Sequence, residues 1–159
     1  QTGFAHCVAV TSGTAALHLA LVHLGIQSGD TVIASTLTFI GSVGPAFHLG
    51  AKLIFVDSSE DTWNMDPALL RQALEECKSE GSLPKVILPT DIYGQSCDLD
   101  VILEIGEEYG IPVVVDSAES LGATYRGRSV GKGAAAAAFS FNGNKIITTS
   151  GGGKLMTKQ

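Results

Sequence analysis

The chain has 159 residues, enough to bury a sizeable core in a single domain. Its formal charge of −6 leaves no basic field for nucleic acid, and no apolar run approaches membrane-spanning length. An apolar content of 45% with 19 glycines fits a globular α/β protein rich in tight turns, and Cys7, Cys77 and Cys97, which lack CxxC spacing, read as reduced thiols of a cytosolic protein.

Short apolar runs alternate with helical segments along the chain. Strands are expected at residues 6–10, 31–34, 52–56, 85–89, 112–115, 135–141 and 154–157. Most are continuous Val, Ile, Leu or Ala runs, the pattern of strands buried on both faces of a parallel sheet. A helix is expected over 14–24, behind the turn Ser12-Gly13-Thr14 and closed by Gly25. A segment over 39–48 is a weaker helix because Gly41, Gly44 and Pro45 interrupt it. Asp66-Pro67 supplies an N-cap and a first-turn proline for a helix to about Lys78, with Leu69, Leu70, Ala73, Leu74 and Cys77 on one face. A further helix over 99–109 carries Leu99, Ile102, Leu103 and Ile105 and ends at Gly110. The alternation predicts a doubly wound, three-layer α/β/α fold on a mostly parallel seven-stranded sheet, in which ligands gather at the C-terminal ends of the strands.

Three features at such ends carry chemistry. Ser12-Gly13-Thr14 follows a strand and opens a helix, where free amides, the positive end of the helix dipole and the Thr14 hydroxyl suit a phosphate; an ordinary N-cap turn explains the same residues. Asp116 ends the run PVVVD, placed to bond a pyridine nitrogen or to cap whatever follows, and Glu119 is spaced for a capping box or for facing the same ligand. Lys145, in SFNGNKIITTSGGG, lies at a strand junction among small residues that let a ligand approach the backbone. Phosphate cradle, strand-end carboxylate and amine in this order are the fixtures of a pyridoxal 5'-phosphate (PLP) site. In such a site Lys145 would form the Schiff base and later shuttle a proton between carbon centres, Ser140 would add a phosphate hydroxyl, and Phe39 in STLTFIG would stack on the ring. A surface lysine in a polar loop, a strand-end serine bonded to backbone and a core aromatic explain the same three residues.

Neighbouring patterns are excluded by spacing. GRSVGKG (127–133) and GGGKL (151–155) lack the spacing of a phosphate-binding GxxxxGK[ST] loop, and no GxGxxG follows a strand. His18 and His23 are one step off the i, i+4 pairing of helical metal ligands, so no metal site is expected. Arg126, Arg128 and Lys132 beside Tyr125 read as a solvated hairpin.

Taken together, HCVAVTSGTAALHLAL, STLTF, PTDIYGQSCDLD, VVVDSAESLGATYRG and FSFNGNKIITTSGGG resemble the DegT/StrS-type nucleotide-sugar aminotransferases among the fold-type-I PLP enzymes, over essentially the whole chain. The resemblance implies that Gly13, Thr14 and Ser140 hold the cofactor phosphate, that Phe39 and Glu119 lie against or beside the ring, that Asp116 binds the ring nitrogen, and that Lys145 is the catalytic Schiff-base lysine. IYGQSCDLD, DSAESLGA and SFNGNKIITTSGGG are most similar to the subgroup that aminates UDP-4-keto-6-deoxy-N-acetylhexosamines, which implies glutamate as amino donor and surface-glycan amino sugars as products. Asp91 and Glu119 stand where relatives often have His, and alanines occupy the segment before FSF where an Asp is frequent.

By the same resemblance the chain is expected to be a PLP-binding large domain over residues 1–159, truncated at its N-terminus and lacking a C-terminal small domain, and the intact protein a homodimer. Two other readings stand beside transamination. The sugar 3-dehydratase branch of the family replaces the Schiff-base lysine with His, so Lys145 argues against it. A non-catalytic regulatory or scaffold domain would keep the fold and bind PLP or nothing; the intact set of Asp116 and Lys145 argues against it for the parent protein, while truncation leaves it open for this chain.

Overall fold

The protein is described by a computed structural model covering residues 2–158. Gln1 and Gln159, where the expected domain limits fall, lie outside the described residues. The expected strands form as β1 (His6–Val10), β2 (Thr31–Ser35), β3 (Lys52–Val56), β4 (Val86–Leu88), β5 (Val114–Asp116), β8 (Ala136–Ser140) and β9 (Gly153–Thr157). A hairpin of β6 (Thr124–Tyr125) and β7 (Arg128–Ser129) stands apart from them.

Two ladders, β1-β9-β8-β5 and β3-β2-β4, meet between β4 and β5. Parallel bridges Ile87–Val113 and Thr90–Asp116 join them, with Ile87 N–H donating to the Pro112 carbonyl at 3.0 Å and Asp116 N–H to that of Pro89 at 2.9 Å. The result is one sheet in the order β1-β9-β8-β5-β4-β2-β3. Of these strands only β9 runs against its neighbours, antiparallel to both β1 and β8. The expected three-layer, mostly parallel seven-stranded architecture is therefore present.

The central strands β2, β4, β5 and β8 bury both faces while the edge strands β1 and β3 stay partly or largely exposed, and the buried side chains sort by a period of two. Val32, Ala34, Val86, Leu88, Val114, Ala136, Ala138 and Leu155 pack into one cluster with Ala16, Leu17, Ala20 and Leu21 of α1 (Gly13–His23) and Val43 and Ala46 of α2 (Ile40–His48). Ile33, Ile87, Val113, Val115, Ala137, Phe139 and Met156 face the other way. They meet Leu70 and Leu74 of α3 (Pro67–Ser79) and Leu99, Ile102 and Ile105 of α4 (Leu99–Tyr109). The alanine-rich β8 lets α1 approach closely, as its neighbours in the cluster show.

Local signals set the helix ends. The Asp66 carboxylate accepts from Ala68 N–H at 2.7 Å and caps α3 ahead of Pro67. Gly110 ends α4 at φ 68°, the left-handed conformation that glycine adopts without strain, and lets Ile111 N–H reach back to the Gly106 carbonyl. α2 forms despite Gly41, Gly44 and Pro45, because Val43 and Ala46 are buried on the sheet. Tertiary packing outweighs local propensity there.

Candidate active site

The C-terminal ends of β1, β2, β4, β5 and β8, with the start of antiparallel β9, surround a cavity of about 530 Å³. Gly13, Thr14, Phe39, Asp116, Glu119, Ser140 and Lys145, which come from four separate stretches of the chain, all line it.

At one end, the chain leaves β1 through Thr11 and Ser12 and turns directly into α1. The Ser12 hydroxyl accepts from Ala15 N–H at 3.0 Å, so Ser12 is the helix cap and the first-turn amides point toward the cavity end. The segments approach so closely that a side chain added at these glycines would press on its neighbours. A Cβ on Gly13 would lie 3.0 Å from Ser140 Cβ, one on Gly41 2.7 Å from Thr14 Oγ1, and one on Gly153 would overlap the Ser12 carbonyl carbon. Ser140, at the end of β8, is buried, and its Oγ accepts from Asn142 N–H at 3.3 Å.

Asp116 also lines the cavity and is only 5% exposed. It caps no helix. Its Oδ1 accepts from Ala118 N–H at 3.0 Å in a tight turn, and its Oδ2 accepts a short hydrogen bond from Ser42 Oγ. Burial pushes its carboxyl above the usual range. The bonds from Ser42 and Ala118 oppose that push, the charge of Asp91 adds to it, and Lys145 pulls the other way.

Lys145 reaches Glu119 across the mouth of the cavity, Nζ to Oε1 at 3.0 Å, with side chains 14% and 29% exposed. Glu119 Oε2 in turn accepts from the Tyr93 N–H at 2.8 Å, in the short 3-10 turn Ile92–Gly94. Glu119 is thus a bridge between the lysine and the loop after β4, and closes no capping box. Phe39 precedes α2 and is 70% exposed, its ring available at the cavity instead of filling the core.

Several residues outside the expected set shape the site. Ser42, Thr38 and Thr90 form a hydroxyl chain to Asp116, with Thr38 Oγ1 2.7 Å from Ser42 Oγ and 2.8 Å from Thr90 Oγ1. Asp91 accepts from Cys97 N–H at 2.9 Å, Ser117 Oγ at 2.7 Å and Ser120 Oγ at 2.8 Å, which fastens the loop after β4 to the turn that carries Glu119. Asn64 braces the same loop by accepting from Ile92 N–H and donating to the Gln95 and Ser96 carbonyls. The available signals were a hydroxyl pair at i, i+4 around Phe39 and an acid among apolar residues at Asp91. Neither names its distant partners.

The hairpin cations lie elsewhere. Arg126 and Arg128 flank Asp100 and lie over the Tyr125 ring, so the hairpin is tied to α4 and turned away from the cavity. No group of acidic, histidine or cysteine side chains able to hold a metal occurs among the described residues. Among these residues no helix is long and apolar enough to cross a membrane.

A helix start with free amides and hydroxyls, a buried carboxylate and an amine on the walls of one cavity suit one class of ligand. That ligand has a phosphate and a protonatable ring. The fold and site define a three-layer α/β protein of the kind that binds such cofactors at its strand ends. The chain matches the DegT/DnrJ/EryC1/StrS aminotransferase family over residues 1–159 and belongs to it. It is 47% identical over 157 residues to the pyridoxal phosphate-dependent aminotransferase EpsN of Bacillus subtilis, covering 99% of this chain and 40% of that protein. It is 45% identical over 155 residues to GDP-perosamine synthase of Caulobacter vibrioides, covering 98% of this chain and 40% of that protein. The PLP form of the sugar aminotransferase Spr1654 of Streptococcus pneumoniae superposes with a TM-score of 0.90 at 35% identity, over 99% of this chain and 43% of that one. The chain spans about two fifths of the length of the curated relatives it matches.

Proposed function

We infer that this chain is the PLP-binding large domain of a longer aminotransferase, which moves an amino group from glutamate to the ketone of a 4-keto nucleotide sugar. The observation that carries the reading is the convergence of Asp116, Glu119 and Lys145 with the start of α1 on one cavity. When bound, PLP accepts and returns the amino group and withdraws electrons from the reacting carbon. Asp116 accepts a hydrogen bond from the ring nitrogen and keeps it protonated. Gly13, Thr14 and Ser140 hold the phosphate, and Phe39 covers a ring face. Lys145 supplies the amine that secures the cofactor and then takes and returns the proton at the reacting carbon. Glu119 holds Lys145 Nζ at the cavity mouth when the lysine is free. The same reading makes the intact protein a cytoplasmic homodimer with a small domain beyond this chain, working in surface-glycan amino-sugar synthesis.

The test is borohydride reduction of the full-length protein incubated with PLP, followed by peptide mass spectrometry. A pyridoxyl group confined to Lys145 is expected, and Lys145→Ala is expected to abolish glutamate-dependent amination of a UDP-linked 4-keto sugar. A pyridoxyl group spread over several lysines, or normal turnover of Lys145→Ala, would sink the reading.

A further inference from the structure

Four hydroxyl and carboxyl groups from four segments are linked along the wall of the cavity: Thr90 after β4, Thr38 after β2, Ser42 in α2 and Asp116 at the end of β5. Ser42 is 1%, Thr90 6% and Asp116 5% exposed and Thr38 is half-buried, so solvent is kept from the Ser42–Asp116 bond and reaches the chain only at Thr38. An ionised carboxylate only accepts, and each hydroxyl donates one proton. Since Ser42 donates to Asp116, Thr38 must donate to Ser42, and Thr90 to Thr38. The chain therefore has a single direction, each donor polarised by the next. A protonated Asp116 would donate to Ser42 and reverse it.

Thr38 and Ser42 also bracket Phe39, which starts α2 without a side-chain cap of its own. The bonds that hold Asp116 thus also anchor the chain on both sides of Phe39, and both residues line the cavity. On the cofactor reading above, these two groups meet the ring edge and the ring face. We propose that Ser42 is a positioning residue: driven by Thr38 and Thr90, its hydroxyl locks Asp116 as a hydrogen-bond acceptor aimed into the cavity and sets Phe39 in register with it, pre-forming the ring site. The inference rests on the PLP reading for the ligand and on hydrogen-bond direction for the device.

The other charged groups around Asp116 are Asp91 in the loop after β4, Lys145 in the loop after β8 and the Glu119 that pairs with it. Of the separate side chains acting on the Asp116 carboxyl, Ser42 is the largest influence opposing burial.

The experiment uses the full-length protein and two readouts. In the cofactor-free protein, the carboxyl carbon of Asp116 is followed by NMR through a pH titration, its signal assigned by its loss in Asp116→Asn. Ser42→Ala is expected to move the midpoint upward by about one pH unit, a tenfold change in proton affinity. Thr38→Val, which leaves Ser42 in place, should move it less in the same direction, and Ser42→Thr should restore the wild-type midpoint. PLP binding to the same proteins is expected to weaken about tenfold to a hundredfold in Ser42→Ala, the range for a lost bond to a charged group. Ser42→Thr should bind within a few-fold of wild type. An unchanged titration in both Ser42→Ala and Thr38→Val overturns the proposal, whatever their thermal stability, as does a folded Ser42→Thr that behaves like Ser42→Ala. If the wild-type protein takes up no PLP, the cofactor reading falls while the titration still decides the role of Ser42.

Discussion

Asp91 and Asp116 are neighbouring buried carboxylates, 1% and 5% exposed, and burial pushes both above the usual range. They differ in what they face. Asp91 accepts from Cys97 N–H, Ser117 Oγ and Ser120 Oγ, all within the protein, and has no part in the cavity wall. Asp116 accepts from Ala118 N–H and Ser42 Oγ, and lines the cavity. A carboxylate whose acceptor sites are taken up inside the fold is a fastener, whereas one that still faces an open cavity is a receptor for a donor on a ligand. Burial and a displaced pKa alone do not separate the two. The distinction lies in where the unused lone pairs point.

The sharpest way to break this comparison is to neutralise each acid in the full-length protein. Asp116→Asn keeps the size of the side chain and removes its charge. Turnover should fall on the order of a hundredfold to a thousandfold, the range for removing one preorganised electrostatic contact. Thermal stability without cofactor should hold or rise, because an ionisable group no longer has to be desolvated. Asp91→Ala should do the reverse. It leaves Cys97 N–H and the Ser117 and Ser120 hydroxyls without their acceptor, and should destabilise the cofactor-free protein by about 2–4 kcal/mol in chemical denaturation. Turnover at saturating PLP should suffer less than in Asp116→Asn. If Asp91→Ala loses PLP binding with its stability intact, Asp91 belongs to the receptor and the comparison fails.

How much of this is legible in the chain follows the same line between local and distant partners. β2, β5 and β8 read correctly because continuous apolar runs mean burial on both faces. Once that is granted, the period of two in Val32, Ile33 and Ala34 follows, with Ile33 on one face and its two neighbours on the other. The caps Ser12 and Asp66 read correctly because cap and amide lie within three residues. α2 read weakly, since Gly41, Gly44 and Pro45 argue against a helix and the burial of Val43 and Ala46 that decides for one is tertiary. Nothing in Gly153–Thr157 marks β9 as the reversed strand. At the site, the seven expected residues share a wall of the cavity. Ser42 went unread because its partner Asp116 is 74 positions away, and Thr38 because Thr90 is 52 positions away. Arg126 and Arg128 read as solvated, but the carboxylate that engages them, Asp100, sits in α4.

The pH dependence of stability sharpens the comparison with a smaller effect. Both acids have raised folded-state values, so the stability they contribute is fully present below the unfolded carboxylate value of about 3.9 and is lost as pH rises through the raised folded values. Over that window the cofactor-free protein should gain melting temperature from these two groups as pH falls. Asp116→Asn should remove one part of the gain and Asp91→Asn the other. Saturating PLP should suppress only the Asp116 part, because a protonated ring nitrogen favours the ionised carboxylate. A PLP effect of equal size in Asp116→Asn and wild type would show that the cofactor does not meet this residue.

The smallest expected effect comes from a third carboxylate, Asp100, which serves as the exposed control. The hydrogen bond from Arg128 holds its carboxyl below the usual range, with partial burial working against it and Arg126 adding to the lowering. The sign is opposite to that of Asp91 and Asp116: any stability from Asp100 is present above the unfolded value and is lost as pH falls through the folded one. Its side chain is 33% exposed and those of Arg126 and Arg128 are 65% and 39% exposed, so water and salt screen the pairs. Asp100→Asn should therefore change stability by less than about 1 kcal/mol, and less again at high ionic strength. PLP affinity should not change, since the hairpin lies away from the cavity. A loss of PLP binding in Asp100→Asn would mean that the β6-β7 hairpin and α4 support the site through the turn at 117–120, and that the line drawn between fastener and receptor is placed too close to the cavity.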